Sequence, residues 1–344
     1  MPFKSSLMRS AGKLFGVSNQ EDLDLRGKTA ETRWIAPIAS SGGTIINDGT
    51  TRYHVFLADG TFTCDQQVSD AKILLIGSGA RGGGGRAGSG GGGAGGVFYS
   101  SSGTIPTSPH SFTVADISPA TGEPHPGRPG EFYGAKGGDT TAFGLTALAG
   151  GGGDGAFYTD APTALKNGGS GGGGGVGYPD TGPSGGTAQG STTTNPFGEF
   201  TFYGNDGGQG NPYDGTYAGA GGGGSGGAGG DGTSTDAGDG GAGQAFPEFP
   251  APVIAPAIPS PVRSDWTSAV GPTGTFAGGG GGGCTSGSDG NQGSGSAGGG
   301  RGGYDDPHDT AASAVNYTGS GGGAGKPGKQ GSAGIIMLKF TYVP

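Results

Sequence analysis

Runs of consecutive glycine constrain this chain more than any other feature. Eight occur, at residues 82–85, 90–96 (broken only by Ala94), 150–153, 171–175, 221–224, 278–283, 298–300 and 321–323. Glycine loses more backbone freedom on ordering than any other residue, about 0.5–1 kcal/mol relative to alanine. A run such as residues 278–283 is therefore either a tether or part of a lattice of partners. Extended helices of the polyproline II type make no internal hydrogen bonds and leave every N–H and C=O free. Laid side by side without side chains, such segments can bond across the gaps, helped by Cα–H···O contacts. Glycine is then the residue that permits close approach, and the runs become a core.

The 90 glycines and 23 prolines among 344 residues exceed the level, roughly 25–30%, at which aperiodic chains are usually disordered. Apolar strand-like segments on both sides of the glycine region argue against a solvated linker. Strict Gly-X-Y periodicity is absent, which excludes collagen. The formal charge of −9 and the scattered basic residues argue against a nucleic-acid partner. No apolar stretch approaches the ~20 residues that span a bilayer, and none near the start reads as a secretory leader. Cys64 and Cys284, far apart in sequence, read as free buried thiols of a protein made in a reducing compartment.

Composition divides the chain into an N-terminal segment, residues 1–46, and a glycine-rich domain, residues 47–344. The first has few glycines and the only helix-like spacing of apolar residues, Leu7, Met8, Leu14 and Phe15, followed by Leu23 and Leu25 on one side of an alternating stretch. It is too short to bury a core of its own, so it is either a floppy terminus or a docking peptide. From Thr51 the pattern is that of strands. Tyr53, Val55 and Leu57 alternate with other residues, Asp59-Gly60 signals a hairpin, and Phe62 and Cys64 continue the alternation. Residues 71–76 read as a strand covered on both faces. Residues 111–114 form a short strand, and residues 334–343 a closing one. None is stable as a lone edge. The last strand is therefore expected to return to residues 51–76 and close a small β-sandwich around Tyr53, Phe62, Ile73, Leu75, Phe112, Ile336, Leu338 and Phe340.

The predicted fold class is mostly β and irregular: a small β-sandwich base, stacked polyglycine II helices with long loops, and little helix. The segments between runs carry the aromatics, among them Tyr158, Tyr178, Phe200, Tyr203, Tyr213, Tyr217 and Phe249. Residues 246–262, where proline alternates with Val and Ile, are expected to be an extended rod with exposed apolar groups.

Motifs with a chemical reading fail on inspection. Gly77-Ser-Gly79-Ala-Arg-Gly82 has the spacing of a dinucleotide loop, but glycines rather than a helix follow, and no acidic residue occurs before Asp116. Residues 226–231 match one copy of a calcium turn that works in tandem, with no neighbouring copy. Asp305, Asp306, His308 and Asp309 form an acidic cluster that reads as a solvated turn. No catalytic constellation, cofactor site or metal site is predicted, and the chain is not expected to be an enzyme.

The Asp-Gly-Thr-Phe turn after a Tyr/Phe strand (residues 53–62), the apolar strand entering a glycine tract (residues 73–85), the Ser-Phe-Thr-Val strand (residues 111–114) and the closing Gly-Ile-Ile-Met-Leu-Lys-Phe strand resemble the glycine-rich domain of phage tail-fibre proteins. Residues 10–17 are similar to the starts of some cyanophage virion proteins. The resemblance implies layers of parallel polyglycine II helices whose loops at one end recognise a bacterial surface. It departs from the family pattern after Val114, where Ala-Asp-Ile-Ser-Pro replaces Val-Gly-Ala-Gly-Gly. On this reading the chain is a virion adhesin, made in the host cytoplasm. Leu7, Leu14, Phe15, Leu23 and Leu25 anchor it to tail or baseplate proteins. Tyr158, Tyr178, Phe200, Tyr203, Tyr213, Tyr217 and Phe249 contact a surface polysaccharide or outer-membrane protein. It is trimeric like most fibres or monomeric like polyglycine tips. The alternatives are a structural spacer without a receptor and a polysaccharide depolymerase.

Overall fold

The computed structural model describes residues 38–85, 88–124, 130–155, 161–177, 182–212, 217–285, 291–304 and 310–342. Met1–Pro37 and Ile38–Pro344 are separate units, and the described residues all belong to the second. The anchor residues Leu7, Leu14, Phe15, Leu23 and Leu25 lie outside the described residues. The glycine-rich unit begins before the boundary read from composition, because that boundary would cut a strand of the main sheet.

The chain opens with β1 (Ser40–Ser41), β2 (Thr44–Asp48), β3 (Thr51–Phe56), β4 (Gly60–Cys64), β5 (Val68–Ile76), β6 (Val97–Ile105) and β7 (His110–Phe112). Short ribbons follow: β8 (Glu123–Pro124), β9 (Phe132–Tyr133), β10 (Thr140–Ala142) and β11 (Leu145–Ala147). Next come β12 (Thr193–Asn195), β13 (Gly198–Tyr203), β14 (Gln244–Ala245), β15 (Thr275–Phe276) and the closing β16 (Ile335–Thr341). The main sheet runs β12-β13-β6-β5-β16-β3-β2, and β1-β4-β7 form a second, smaller sheet. As expected, the C-terminal strand returns to the first strands: β16 lies antiparallel between β3 and β5, pairing Ile336 with Phe56 and with Leu75.

Both faces of the main sheet are covered. One face packs Phe56, Ile73, Leu75, Ile336, Leu338 and Phe340 against Phe62 and Phe112 of the small sheet. Leu74, Ile76, Ile335 and Met337 point the other way, into a second cluster with Phe249, Ile254, Ile258 and Trp266. The continuous apolar run of β5 is thus explained, since a strand buried on both faces has no reason to alternate. Tyr53 departs from expectation by facing the second cluster, against Phe249. In β3 it is Arg52, His54 and Phe56 that share the sandwich face, and all three are buried. Asp59-Gly60 does not make a hairpin either. β3 pairs with β2 and β16, whereas β4 pairs with β1 and β7, so the turn carries the chain across the sandwich.

The proline-rich segment is helical rather than an extended rod, with Ala251–Ile254, a 3-10 turn Ala255–Ala257 and an eleven-residue helix Ser260–Val270. Each of the three carries proline in its first two positions, where the missing N–H costs no bond and the fixed φ suits a helical turn. Its apolar groups are buried, not exposed: Phe249, Ile254, Ile258 and Trp266 are each 0% accessible and cover the outer face of the sheet. Trp266 Nε1 donates to the carbonyl of Tyr317 at 3.0 Å, and Lys339 of β16 pairs with Glu248. Among the described residues no helix is long and apolar enough to cross a membrane.

The glycine runs form the expected lattice. Residues 90–96 show its rule, because each successive N–H turns to a different neighbour and every third returns to the same one. Gly90, Gly93 and Gly96 donate to Asp154, Gly151 and Leu148; Gly91 and Ala94 to Ala220 and Gly223; Gly92 and Gly95 to Gly322 and Gly319. The carbonyls repeat this with three further runs, accepting from Gly83, Ala80 and Gly77, from Gly173 and Ser170, and from Gly280. Six neighbours around a threefold helix make a hexagonal array in which the backbone is its own core. The direction of the chains is mixed, contrary to the all-parallel arrangement implied by the resemblance. Residues 220–223 run parallel to 90–96 and residues 148–154 antiparallel, as the ascending and descending partner numbers show. Groups that radiate around a polyproline II axis meet a neighbour of either polarity, so short turns between runs suffice.

Candidate functional site at the distal end of the lattice

The bonding order gives the lattice two ends. Residues 76–77, 96–97, 203–204 and 334–335 are where the runs join the sheet. The opposite, distal end is fixed by bridges between Gly84 and Gly325, Gly177 and Pro212, Ala218 and Cys284, and Asp236 and Asn291. Segments distant in sequence are gathered there because each run reverses at that end.

Acidic side chains also accept backbone N–H groups of the array. Asp206 Oδ1 accepts from the Ala188 N–H at 2.7 Å, Asp231 Oδ1 from Gln209 at 2.7 Å, and Asp239 Oδ1 from Ser294 at 2.6 Å. Asp139 serves Ala149 at 2.7 Å and Asp154 serves Ala161 at 3.1 Å. A carboxylate accepting a backbone N–H makes a short charge-assisted bond. Part of the chain's acidic surplus is therefore structural. Asp231, the last residue of the calcium-turn pattern, is one of these caps. Asp236 accepts from Thr235 Oγ1 at 2.7 Å and Asn291 Nδ2 at 2.6 Å, and these bonds, the first above all, hold its carboxyl below the usual range. Among the described residues no group of three or more His, Cys, Asp or Glu side chains is placed to hold a metal ion. Residues 305–309 lie outside the described residues.

The structure separates the predicted contact aromatics. Phe200 and Phe249 are 0% accessible, Phe200 inside the sandwich and Phe249 under the helical cover, so neither ring can meet a partner. Tyr203 pairs with Val97 in the main sheet and stands edge-on to Phe246 at 5.4 Å, at the end opposite the lattice tip. Tyr217 is half-buried at the distal end, its carbonyl accepting from Thr285 at 3.1 Å. Tyr158, Tyr178 and Tyr213 lie outside the described residues; Gly177 and Pro212, beside two of them in sequence, are distal.

Sequence reasoning missed a distal cavity of about 190 Å³ lined by Arg81, Ala120, Thr121, Gly122, Phe132, Pro327 and Gly328. Its ribbon, β8–β9, is tied to the lattice by reciprocal bonds between Gly84 and Phe132 at 2.7 and 2.8 Å. Gly328 is required there, because a Cβ would lie 2.7 Å from the Gly82 carbonyl carbon. The signal was present in sequence: Arg81 is a long cation set into a glycine tract. Cys64 and Cys284 are buried and unbridged, as expected, and burial pushes the Cys284 thiol up to about 12.

Residues 57–341 match the model of the glycine-rich domain, most of the chain, so this protein belongs to that family. No curated protein matches it.

Proposed function

We propose that this chain is a virion protein of a tailed phage, a tail-fibre or tail-tip adhesin that attaches through its N-terminal residues and contacts the host surface through the distal loops. The observation that carries the reading is the polarity of the glycine-rich unit. Its first strands, β1 and β2, belong to the sheet end, while segments from across the sequence converge on the other end of a rigid slab. An exposed aromatic on such a platform offers contact area at low entropic cost.

Replacing Tyr158, Tyr178, Tyr213 and Tyr217 together by alanine tests it. Host adsorption should fall while the particles still assemble with the protein in place; unchanged adsorption would favour a purely structural spacer. Deleting residues 2–37 should give particles lacking the protein. Release of reducing sugar from host envelope material would instead support a depolymerase.

A further inference from the structure

Arg81 is a buried cation that no acidic side chain pairs among the described residues. The residue is 6% accessible. Its backbone is locked into the lattice, the N–H donating to Ala135 at 2.9 Å and the carbonyl accepting from Gly153 at 3.1 Å. Its side chain reaches the cavity, where a guanidinium with five N–H donors makes one long bond, from Nη1 to the Pro119 carbonyl at 3.4 Å. Burying a cation without a partner is costly. The ion pairs formed among the described residues join Lys166 to Asp154 and Lys339 to Glu248, not Arg81 to an acid. Glu131, beside Phe132, is engaged with a partner of its own. Burial accordingly lowers the pKa of Arg81.

The walls limit what can complete this site. Phe132 is half-exposed and gives an aromatic face, Pro327 and Ala120 give exposed apolar edges, and Thr121 is exposed on the lining. Guanidinium geometry matches a planar carboxylate through two parallel N–H···O bonds. A phosphate, with more charge and oxygens, would call for further donors, and these walls are apolar. About 190 Å³ is below the roughly 300–1,000 Å³ of drug-sized sites, so one ring fills it.

We propose that the Arg81 cavity binds a carboxylate-bearing monosaccharide, its carboxylate on the guanidinium, its ring face on Phe132 and a hydroxyl on Thr121. This class includes the uronic acids of acidic polysaccharides. The site stands on the cavity alone and survives if the host-contact reading fails.

The test is titration of the full-length protein with glucuronate, glucose and inorganic phosphate, followed by calorimetry or by ligand-observed NMR. Glucuronate should bind with a dissociation constant on the order of 1 mM, and glucose at least about tenfold more weakly, since a bond to a charged group is lost. Arg81→Gln should weaken glucuronate by about tenfold or more and leave glucose unchanged. Phe132→Ala and Thr121→Val, at half-exposed and exposed positions, should each weaken glucuronate several-fold, and they decide the matter if Arg81→Gln does not fold. Phosphate binding as tightly as glucuronate, equal binding of glucose, or binding unaffected by the Phe132 and Thr121 changes would overturn the assignment. Glucuronate binding together with normal adsorption of the tyrosine variant would sink the adhesin reading and leave this site standing.

Discussion

Adding a single methyl group should distinguish a bonded slab from a tether. A Cβ at Gly91 would lie 2.6 Å from the carbonyl carbon of Gly280 and 2.9 Å from the oxygen of Gly281, where ordinary contacts are 3.4–4 Å. Relief requires residues 90–96 and 278–283 to part by about 1 Å. The Gly280 N–H to Gly92 carbonyl bond, now 2.9 Å, would then pass the limit of a hydrogen bond. Because the lattice is continuous, at least one further bond beside it, such as Gly222 N–H to the Gly280 carbonyl at 2.9 Å, is strained with it. Each buried group left unpaired costs about 1–3 kcal/mol, and overpacking a rigid interior about 1–3 kcal/mol more. The broken bond leaves two groups unpaired, so Gly91→Ala should destabilise by roughly 3–9 kcal/mol, a large part of the 5–15 kcal/mol typical of a domain. Gly227 is the control: a Cβ there meets only Ala242, at 3.4 Å from its nitrogen and 3.6 Å from its Cβ. Gly227→Ala should be neutral or stabilising by up to about 1 kcal/mol, through the unfolded chain. Urea unfolding followed by tryptophan fluorescence reads both. Equal stability of the two variants would refute the idea that the runs form a core.

The remaining predictions address other parts of the unit. His54 is 0% accessible between Phe62 and Phe340; its Nδ1–H donates to the Gly42 carbonyl at 2.7 Å and its Nε2 accepts from Ser40 Oγ at 3.0 Å. Burial, reinforced by the Arg52 charge, lowers its pKa from 6.5 to about 4. The unfolded chain thus binds the extra proton between those values, so this contribution is complete above pH 6.5 and lost as pH falls toward 4, by roughly 3 kcal/mol in all. His54→Gln should flatten the pH dependence of stability across that window. Trp266→Ala, which empties a fully buried site and frees the Tyr317 carbonyl, should cost about 3–5 kcal/mol in urea unfolding followed by circular dichroism, since the change removes the fluorescent reporter. Neither cysteine should react with iodoacetamide in the native protein at neutral pH, because burial raises both thiols; mass spectrometry should find labelling only after denaturation. Amide exchange at residues 171–175 and 278–283 should be slow, and fast exchange would mean solvated tethers.

Much of the scaffold could be read before any coordinates. The β5 run, the closing β16 strand and the glycine tracts each carry a local requirement: cover on both faces, a partner for an edge, or space for a backbone at close range. Those requirements are written in side chains or in their absence. Contacts between segments left weaker traces. Asp59-Gly60 marks a reversal of the chain but not the sheet in which the next strand pairs, and alternation in β3 suggested Tyr53 for a sandwich face that belongs to His54 and Phe56. Proline at helix starts and proline in an extended rod share one φ, so residues 246–262 were ambiguous until the sheet beneath them supplied an apolar face to cover. Phe200 and Phe249 looked like surface aromatics for the same reason, since what buries them comes from elsewhere in the chain.

The sequence by itself determined that this protein has glycine segments able to approach one another and strands at both ends to hold them. Only the tertiary structure decided which run bonds to which, in which direction, and that Arg81 ends in a cavity. The physical reason is that a glycine has no side chain with which to specify its neighbour, so any run fits any other until the sheet, the aspartate caps and the turns fix its place.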